Sequence, residues 1–180
     1  MKKLILFSGG IDSSLLILME IEKGNNPACI SFNYGQTHSV ELNTAKHTCT
    51  ALCVDHFVYN VDEIRRKGNT YVGRNFILVV EALKVAINKG FDCIVIGTNA
   101  DDSNGFADCT KDFLSSLKTC CATYGVMLEY PLADLTKKEV VDKFKILNGI
   151  YNITTWSCYD PVGNTQCGEC AACQLKGDVK

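Results

Sequence analysis

Four cysteines stand close together late in the chain. They are Cys158, then three in Cys167-Gly168-Glu169-Cys170-Ala171-Ala172-Cys173. Four thiolates suit tetrahedral Zn²⁺, and such a closed site supports a fold rather than a reaction. Gly168 helps the chain wrap around the ion. An iron–sulfur cluster is the rival occupant for the same donors. Reduced core cysteines explain the pattern poorly, because three thiols in seven residues lie among turn and polar residues. The remaining seven of the eleven cysteines read as core fillers, except Cys109, which falls in a polar stretch.

A second group of chemically useful residues opens the chain: Phe7-Ser8-Gly9-Gly10-Ile11-Asp12-Ser13-Ser14. An apolar run ends, two glycines permit a tight turn, and a helical pattern begins. Backbone N–H groups at such a helix start suit a phosphate. Ser8, Ser13 and Ser14 add hydroxyls, and Asp12 is placed to hold Mg²⁺ beside the phosphate. The plainer alternative is a strand–turn–helix junction with Asp12 or Ser13 as the cap. The loop lacks the Gly-Lys-Ser/Thr ending of a Walker A motif and the third glycine of a dinucleotide fingerprint.

Short apolar runs alternate with helical patterns, and these must position both groups. Strands are expected over 4–7, 29–32, 57–59 and 93–96, with helices over 13–22, about 39–53, 74–88 and 110–123. Residues 60–73 and 98–109 read as loops. Thr136-Lys137-Lys138-Glu139 is a capping box, followed by a helix with Val140, Val141, Phe144 and Leu147 inward and Gly149 near its end. The 74–88 helix is expected to turn Phe76, Val79, Val80, Leu83 and Ile87 inward. The alternation implies an α/β fold, an open, mostly parallel twisted sheet with helices on both faces. Ligands in such sheets sit beyond the carboxyl ends of the strands, so the segments at Ser8, Asn33 and Gly97 should converge. The expected division is 1–150 for the α/β domain and 151–180 for a metal-binding segment packed on it.

The 180 residues, 47% of them apolar, fit one domain with a sizeable core, and a net charge of -2 favours a small-molecule substrate over nucleic acid. An odd cysteine count without a signal-peptide pattern points to a reducing cytoplasm, and no apolar run reaches membrane-spanning length.

Ser8-Gly9-Gly10-Ile11-Asp12-Ser13 resembles the pyrophosphate loop of the N-type ATP pyrophosphatases, the PP-loop superfamily. Over nearly its whole length the chain further resembles the 7-cyano-7-deazaguanine (preQ0) synthase family. The resemblance continues through Phe32-Asn33-Tyr34-Gly35-Gln36-Thr37-His38, Val72-Gly73-Arg74-Asn75 and Gly97-Thr98-Asn99-Ala100-Asp101-Asp102. It then covers Tyr130-Pro131-Leu132, Leu135-Thr136-Lys137-Lys138-Glu139 and Trp156-Ser157-Cys158-Tyr159. Two features depart from the family. The stretch from Asn60 to Val72 is short, and the usual Ser-Gly-Tyr-Pro-Asp-Cys is Asn104-Gly105-Phe106-Ala107-Asp108-Cys109.

The resemblance implies an adenine nucleotide alpha-hydrolase-like, Rossmann-like domain and a homodimer using ATP, Mg²⁺ and one structural Zn²⁺ per subunit. The implied reaction converts 7-carboxy-7-deazaguanine and ammonia to the 7-cyano base through adenylated and amide intermediates. It involves no membrane and no stable nucleic-acid complex. Phe7, Ser8, Gly9, Gly10, Ile11, Asp12, Ser13, Ser14, Gln36 and Lys137 are the expected nucleotide contacts. Asp12, Lys137, Arg74 and His38 are the expected catalytic groups, and Arg74, Asn75, Asp102, Phe106 and Asp108 are expected at the base. Cys158, Cys167, Cys170 and Cys173 are expected on zinc. Seven of these have a plainer alternative: a cap for Asp12, a solvated lysine for Lys137, a surface salt bridge for Arg74, a loop or capping role for His38, an exposed loop acid for Asp102 and Asp108, and core packing for Phe106. Three other functions remain open: a variant that stops at the amide, a tRNA-modifying or thiolating enzyme, and a non-catalytic nucleotide- and zinc-binding protein.

Overall fold

The computed structural model of the chain describes residues 1–35, 39–62, 64, 66–67, 70–158, 162–163, 165–170 and 173–174. Its strands are β1 (Lys3–Leu6), β2 (Ala28–Asn33), β3 (His56–Asn60), β4 (Arg66–Lys67), β5 (Thr70–Tyr71), β6 (Cys93–Val95) and β7 (Met127–Glu129). The helices are α1 (Ile11–Glu22), α2 (Ser39–Ala51), α3 (Arg74–Lys89), α4 (Lys111–Thr123) and α5 (Lys137–Tyr151). The main sheet has five strands in the order β3-β2-β1-β6-β7, and every pairing in it is parallel.

Strand residues alternate between two apolar layers because side chains repeat every second position. Leu4, Ile30 and Ile94 point into one layer with α3 and α4. Ile5, Cys29, Cys93 and Val95 point into the other with α1, α2 and α5. Burying each large apolar side chain there stabilises the fold by about 1.5–3 kcal/mol. With both faces covered, the strands read as continuous apolar runs, which is how they showed in the sequence.

The expected face of α3 is rotated. Val79 and Leu83 are buried as expected, but the other inward positions are Ala82, Val85 and Ala86. Phe76, Val80 and Ile87 are exposed. The small alanines let α3 lie close to the sheet, and a reading led by bulky residues passes over them. The 60–73 loop contains a short antiparallel pair, Arg66 with Tyr71 and Lys67 with Thr70. β7 completes the sheet edge where no strand was expected. Gly149 lies within α5, which continues to Tyr151 and ends on Asn152 in the left-handed conformation. Among the cysteines expected in the core, Cys53 and Cys120 are exposed, whereas Cys109 is buried.

The capping box forms as read: the Thr136 side chain accepts from the Glu139 N–H while the Glu139 carboxylate accepts from the Thr136 N–H. Among the described residues, no helix is long and apolar enough to cross a membrane.

Candidate active site

The loop between β1 and α1 lies at the carboxyl end of the central strand. Ser31 Oγ donates to the Phe7 carbonyl and the Phe7 N–H donates to Ile30, which fixes the exit from β1. The loop then folds on itself. Ser8 and Ser13 hydroxyls lie 3.2 Å apart, the Gly10 N–H donates to Ser8 Oγ at 3.3 Å, and Ser13 Oγ donates to the Gly10 carbonyl at 3.2 Å. Gly10 is the residue before the first turn of α1, and no side chain caps that turn. Neither Asp12 nor Ser13 therefore serves as the cap, and the helix end is electrostatically suited to an anion. The side chains of Phe7 and Ile11 are buried, so only their backbones can line a nucleotide. Ser14 is fully buried, and its hydroxyl has no partner among the described residues.

Two later segments close on this loop. A Cβ on Gly97 would stand 3.3 Å from both the Asp12 carbonyl carbon and the Ser13 nitrogen, so the segment after β6 approaches the start of α1 closely, and a larger residue would press on that backbone. Two residues on, Asn99 Nδ2 donates to Asp12 Oδ1 at 3.1 Å. From the start of α5, Lys137 Nζ donates to Asp12 Oδ2 at 2.5 Å. The Lys137 N–H donates to Asp101 at 2.7 Å, so loop and helix hold one another in place. Lys137 is thereby a partner of the loop rather than a solvated surface lysine. Asp102 accepts from the Asn99 N–H at 3.0 Å. Burial, together with the nearby Asp12, raises its carboxyl above the ordinary value.

A second cluster forms at the start of α3. Asp108 accepts from the Asn75 N–H at 2.8 Å, and Asn75 Nδ2 approaches Cys109 Sγ at 3.1 Å. Partial burial opposes the charge of Arg74, yet Tyr34, Asp108 and Glu41 hold its guanidinium firmly protonated. Phe106 is exposed beside this cluster. Glu41, in the first turn of α2, went unnoticed in the sequence. Burial pushes its carboxyl up to about 7, against the pull of Arg74. Asn99 was also missed as a functional residue. Nothing in their spacing separates them from an ordinary helix-surface acid and a turn asparagine. Gln36 and His38 lie outside the described residues.

The four cysteines come together as expected. The Sγ atoms of Cys158, Cys167, Cys170 and Cys173 all lie within 4.8 Å of one another. Cys158 and Cys167 are 3.5 Å apart, and Cys167 and Cys173 are 3.9 Å apart. Sulfurs around a tetrahedral zinc at ~2.3 Å would be about 3.8 Å apart, so the set fits the ion. Trp156 and Val40 pack against it.

A parallel sheet that opens from its central strand into this serine–glycine loop, with a lysine returning from a later helix, defines a PP-loop domain of the N-type ATP pyrophosphatase class. Two solved structures share the fold. The chain superposes on a 4-thiouridine synthetase, crystallised as an RNA complex with bound ATP, with TM-score 0.61 and 21% identity over 81% of this chain and 40% of that one. It superposes on a predicted tRNA methyltransferase subunit from Methanocaldococcus jannaschii with TM-score 0.55 and 21% identity, covering 81% and 74% of the two chains. The sequence model described as "Queuosine biosynthesis protein QueC" matches residues 2–70 and 60–178. Its two matched pieces meet within the segment that reads as short for the family. A 7-cyano-7-deazaguanine synthase from Leptospira interrogans is 32% identical, over 97% of this chain and 84% of its own. One from Citrifermentans bemidjiense is 35% identical, over 97% and 91%. The chain belongs to the QueC, or 7-cyano-7-deazaguanine synthase, family.

Proposed function

We propose that the chain is an ATP-dependent carbon–nitrogen ligase that converts 7-carboxy-7-deazaguanine and ammonia to the 7-cyano base. The observation that carries this reading is Asp12, held by Lys137 from α5 and by Asn99 from the end of β6, over an uncapped helix start. The uncapped helix start, and Lys137 once released from Asp12, would face the negative charge that pyrophosphate develops.

A carboxylate is a poor electrophile because its leaving group would be oxide. Attack of its oxygen on the α-phosphorus of ATP gives an acyl-adenylate and releases pyrophosphate into the loop. Lys137 exchanges its contact with Asp12 for the departing phosphates and stabilises the charge as it forms. Asp12, freed, is the residue placed to hold Mg²⁺, which when bound would neutralise phosphate charge. Ammonia displaces AMP to give the amide. A second adenylation, on the amide oxygen, allows loss of AMP to the nitrile. Both rounds use the same loop, so one site serves twice.

Arg74, Asn75, Asp102, Phe106 and Asp108 are the residues we place at the base. The cluster at the start of α3 supports this reading, with Phe106 free to stack and carboxylates able to accept from a guanine-like edge. The same reading makes the chain a homodimer, for which exposed Phe76, Val80 and Ile87 offer an apolar face.

A second outcome is favoured by one observation. The wall residues Asn104 and Ala107 replace the serine and proline of the family's loop, in a chain whose 60–72 segment is short. A looser wall would release the amide after one round. Mass spectrometry of the product, with AMP counted per product, separates the two. The nitrile with about two AMP supports the full reaction. Amide accumulating with about one AMP under saturating ATP shows a one-round enzyme. No AMP or pyrophosphate release with this base, from folded and zinc-loaded protein, overturns the assignment.

A further inference from the structure

We propose that Asn99 is a positioning residue that keeps Asp12 aimed for Mg²⁺ once Lys137 has left it for the phosphates; the proposal deepens the ligase reading above and rests on it. Asn99 is 2% exposed, and both ends of its amide are engaged. The amide oxygen accepts from two backbone N–H groups, those of Asp101 at 3.0 Å and Asp102 at 3.2 Å. Two backbone donors fix which end of the amide is the oxygen. The nitrogen is therefore the end that faces Asp12 Oδ1, at 3.1 Å. The Asn99 N–H donates in turn to Asp102 Oδ2 at 3.0 Å. The amide is clamped on its own turn and cannot swing away from Asp12.

That turn is tied to the start of α5. The Ala100 N–H donates to the Leu135 carbonyl at 2.8 Å, and the Lys137 N–H donates to Asp101 Oδ2 at 2.7 Å. A closed ring results, from Asp12 to Asn99, Asn99 to Asp101, Asp101 to Lys137, and Lys137 Nζ back to Asp12 Oδ2 at 2.5 Å. The two side chains that hold Asp12 differ in kind. Lys137 reaches it through a long flexible stem and has the phosphates to go to. Asn99 reaches it through a short amide fixed at its other end. When the lysine leaves, Oδ1 stays on Asn99 and Oδ2 is released.

Asp12 fits Mg²⁺, because it brings carboxylate oxygens, the donors a hard cation takes, to the first turn of α1 beside the phosphate loop. Without Asn99 the freed carboxylate would rotate, and holding it for a cation would cost side-chain entropy. Hydrogen-bond partners behind a metal-binding group change its affinity by about 10–100-fold. Asn99 thus acts through Asp12 and touches neither phosphate nor base.

Two substitutions separate this role from that of building the turn. Asn99→Ser keeps an oxygen able to accept from the turn but has no nitrogen to reach Asp12. Asn99→Asp keeps the oxygen on the turn and sets a second carboxylate oxygen against Asp12. ATP affinity is measured by titration calorimetry with and without added Mg²⁺, with circular dichroism to show that each protein is folded. In Asn99→Ser the factor by which Mg²⁺ strengthens ATP binding should fall about tenfold, with affinity in its absence within about threefold of wild type. Asn99→Asp should raise that factor, because two adjacent carboxylates repel unless a cation lies between them. Misfolding would not move the two variants in opposite directions. ATP–pyrophosphate exchange dependent on 7-carboxy-7-deazaguanine should need about tenfold more Mg²⁺ for half its maximal rate in Asn99→Ser, with that maximum within about threefold of wild type. An unchanged Mg²⁺ factor in both folded variants overturns the proposal. So does an equal loss of affinity with and without Mg²⁺, which would leave Asn99 as a builder of the turn. Absence of exchange in wild type removes the ligase reading, and the calorimetric factor alone then upholds or overturns the role of Asn99.

Discussion

The backbone N–H of Trp156 donates to the Gly9 carbonyl at 2.8 Å, so the segment entering the cysteine cluster is hydrogen-bonded to the phosphate loop. Cys158 follows two residues later, and Thr48 of α2 donates to the carbonyl of Thr154 at 3.0 Å. The metal site thereby holds one side of the loop in place.

Zinc removal should accordingly weaken ATP binding as well as the fold. Losing one backbone hydrogen bond worth ~1 kcal/mol predicts roughly fivefold to tenfold weaker ATP binding. Trp156 is the single tryptophan and is 7% exposed, so its fluorescence should change on chelation. Titration calorimetry with ATP, before and after chelation, checks this. Equal affinity in a metal-free protein that stays folded would separate the two sites. Cys170→Ser should lose the metal and lower the folded yield, since a closed zinc site acts through folding.

Lys137→Met should affect rate far more than stability. The Lys137–Asp12 pair retains 26% and 22% side-chain exposure, and a partly exposed pair contributes about 1 kcal/mol or less. Removing one positive group from a developing phosphate charge costs about 10²–10³ in kcat. The expected result is a nearly unchanged melting temperature with pyrophosphate exchange reduced by that factor. A variant that retains exchange would return Lys137 to a purely structural role.

The two loop glycines should behave differently. Gly9 has φ +86°, and its added Cβ would meet the Glu41 carbonyl at 2.8 Å. Gly10 has φ −81°, and its Cβ would make ordinary contacts with Ser8 Oγ at 3.4 Å and the Trp156 carbonyl at 3.5 Å. Gly9→Ala should destabilise the protein by about 1–3 kcal/mol and abolish exchange. Gly10→Ala should fold normally. Thermal melts of the pair provide the check.

The contrast between these glycines shows how far the sequence could be read. Ser-Gly-Gly-Ile-Asp-Ser announces a phosphate loop, but which glycine is conformationally required depends on α2 crossing above it, a long-range contact. The parallel sheet was legible because buried strands are continuous apolar runs. The face of α3 was not, because Ala82 and Ala86 bring it against the sheet while Phe76 and Ile87 remain outside. The cysteine cluster was legible because its ligands lie close in sequence. The pairing of Asp12 with Lys137 and Asn99 spans separations of 125 and 87 residues, and only the family resemblance hinted at the lysine. Glu41 and Asn99 carry no local signature, since their roles come from what the fold places opposite them.

Stability should peak on the mildly acidic side, because two carboxyls pull in opposite directions. Glu20 is 3% exposed. Burial opposes its ionisation, but Lys23, Asn25 and Lys3 outweigh this and hold its carboxyl below the ordinary 4.5. Lys3 lies 3.3 Å from Glu20 and 2.7 Å from Glu129. A lowered carboxyl contributes stability that is present above 4.5 and lost as pH falls through its folded value. Glu41 has the opposite sign. Burial raises it from 4.5 to about 7, so the native state binds more protons than the unfolded chain across that window. Stability therefore falls as pH rises from 4.5 to about 7 and remains lower above it. Glu41→Gln imitates the neutral acid and should melt a few degrees higher than wild type at pH 8, with little difference at pH 5. Glu20→Gln should cost about 3 kcal/mol at pH 7, the lower end for a broken buried pair because Lys3 keeps Glu129. It should also flatten the acid limb. Melting temperatures of the three proteins from pH 4 to pH 8, without substrate, test both signs. An unchanged slope above pH 5 in Glu41→Gln would show that this carboxyl is not held up by burial.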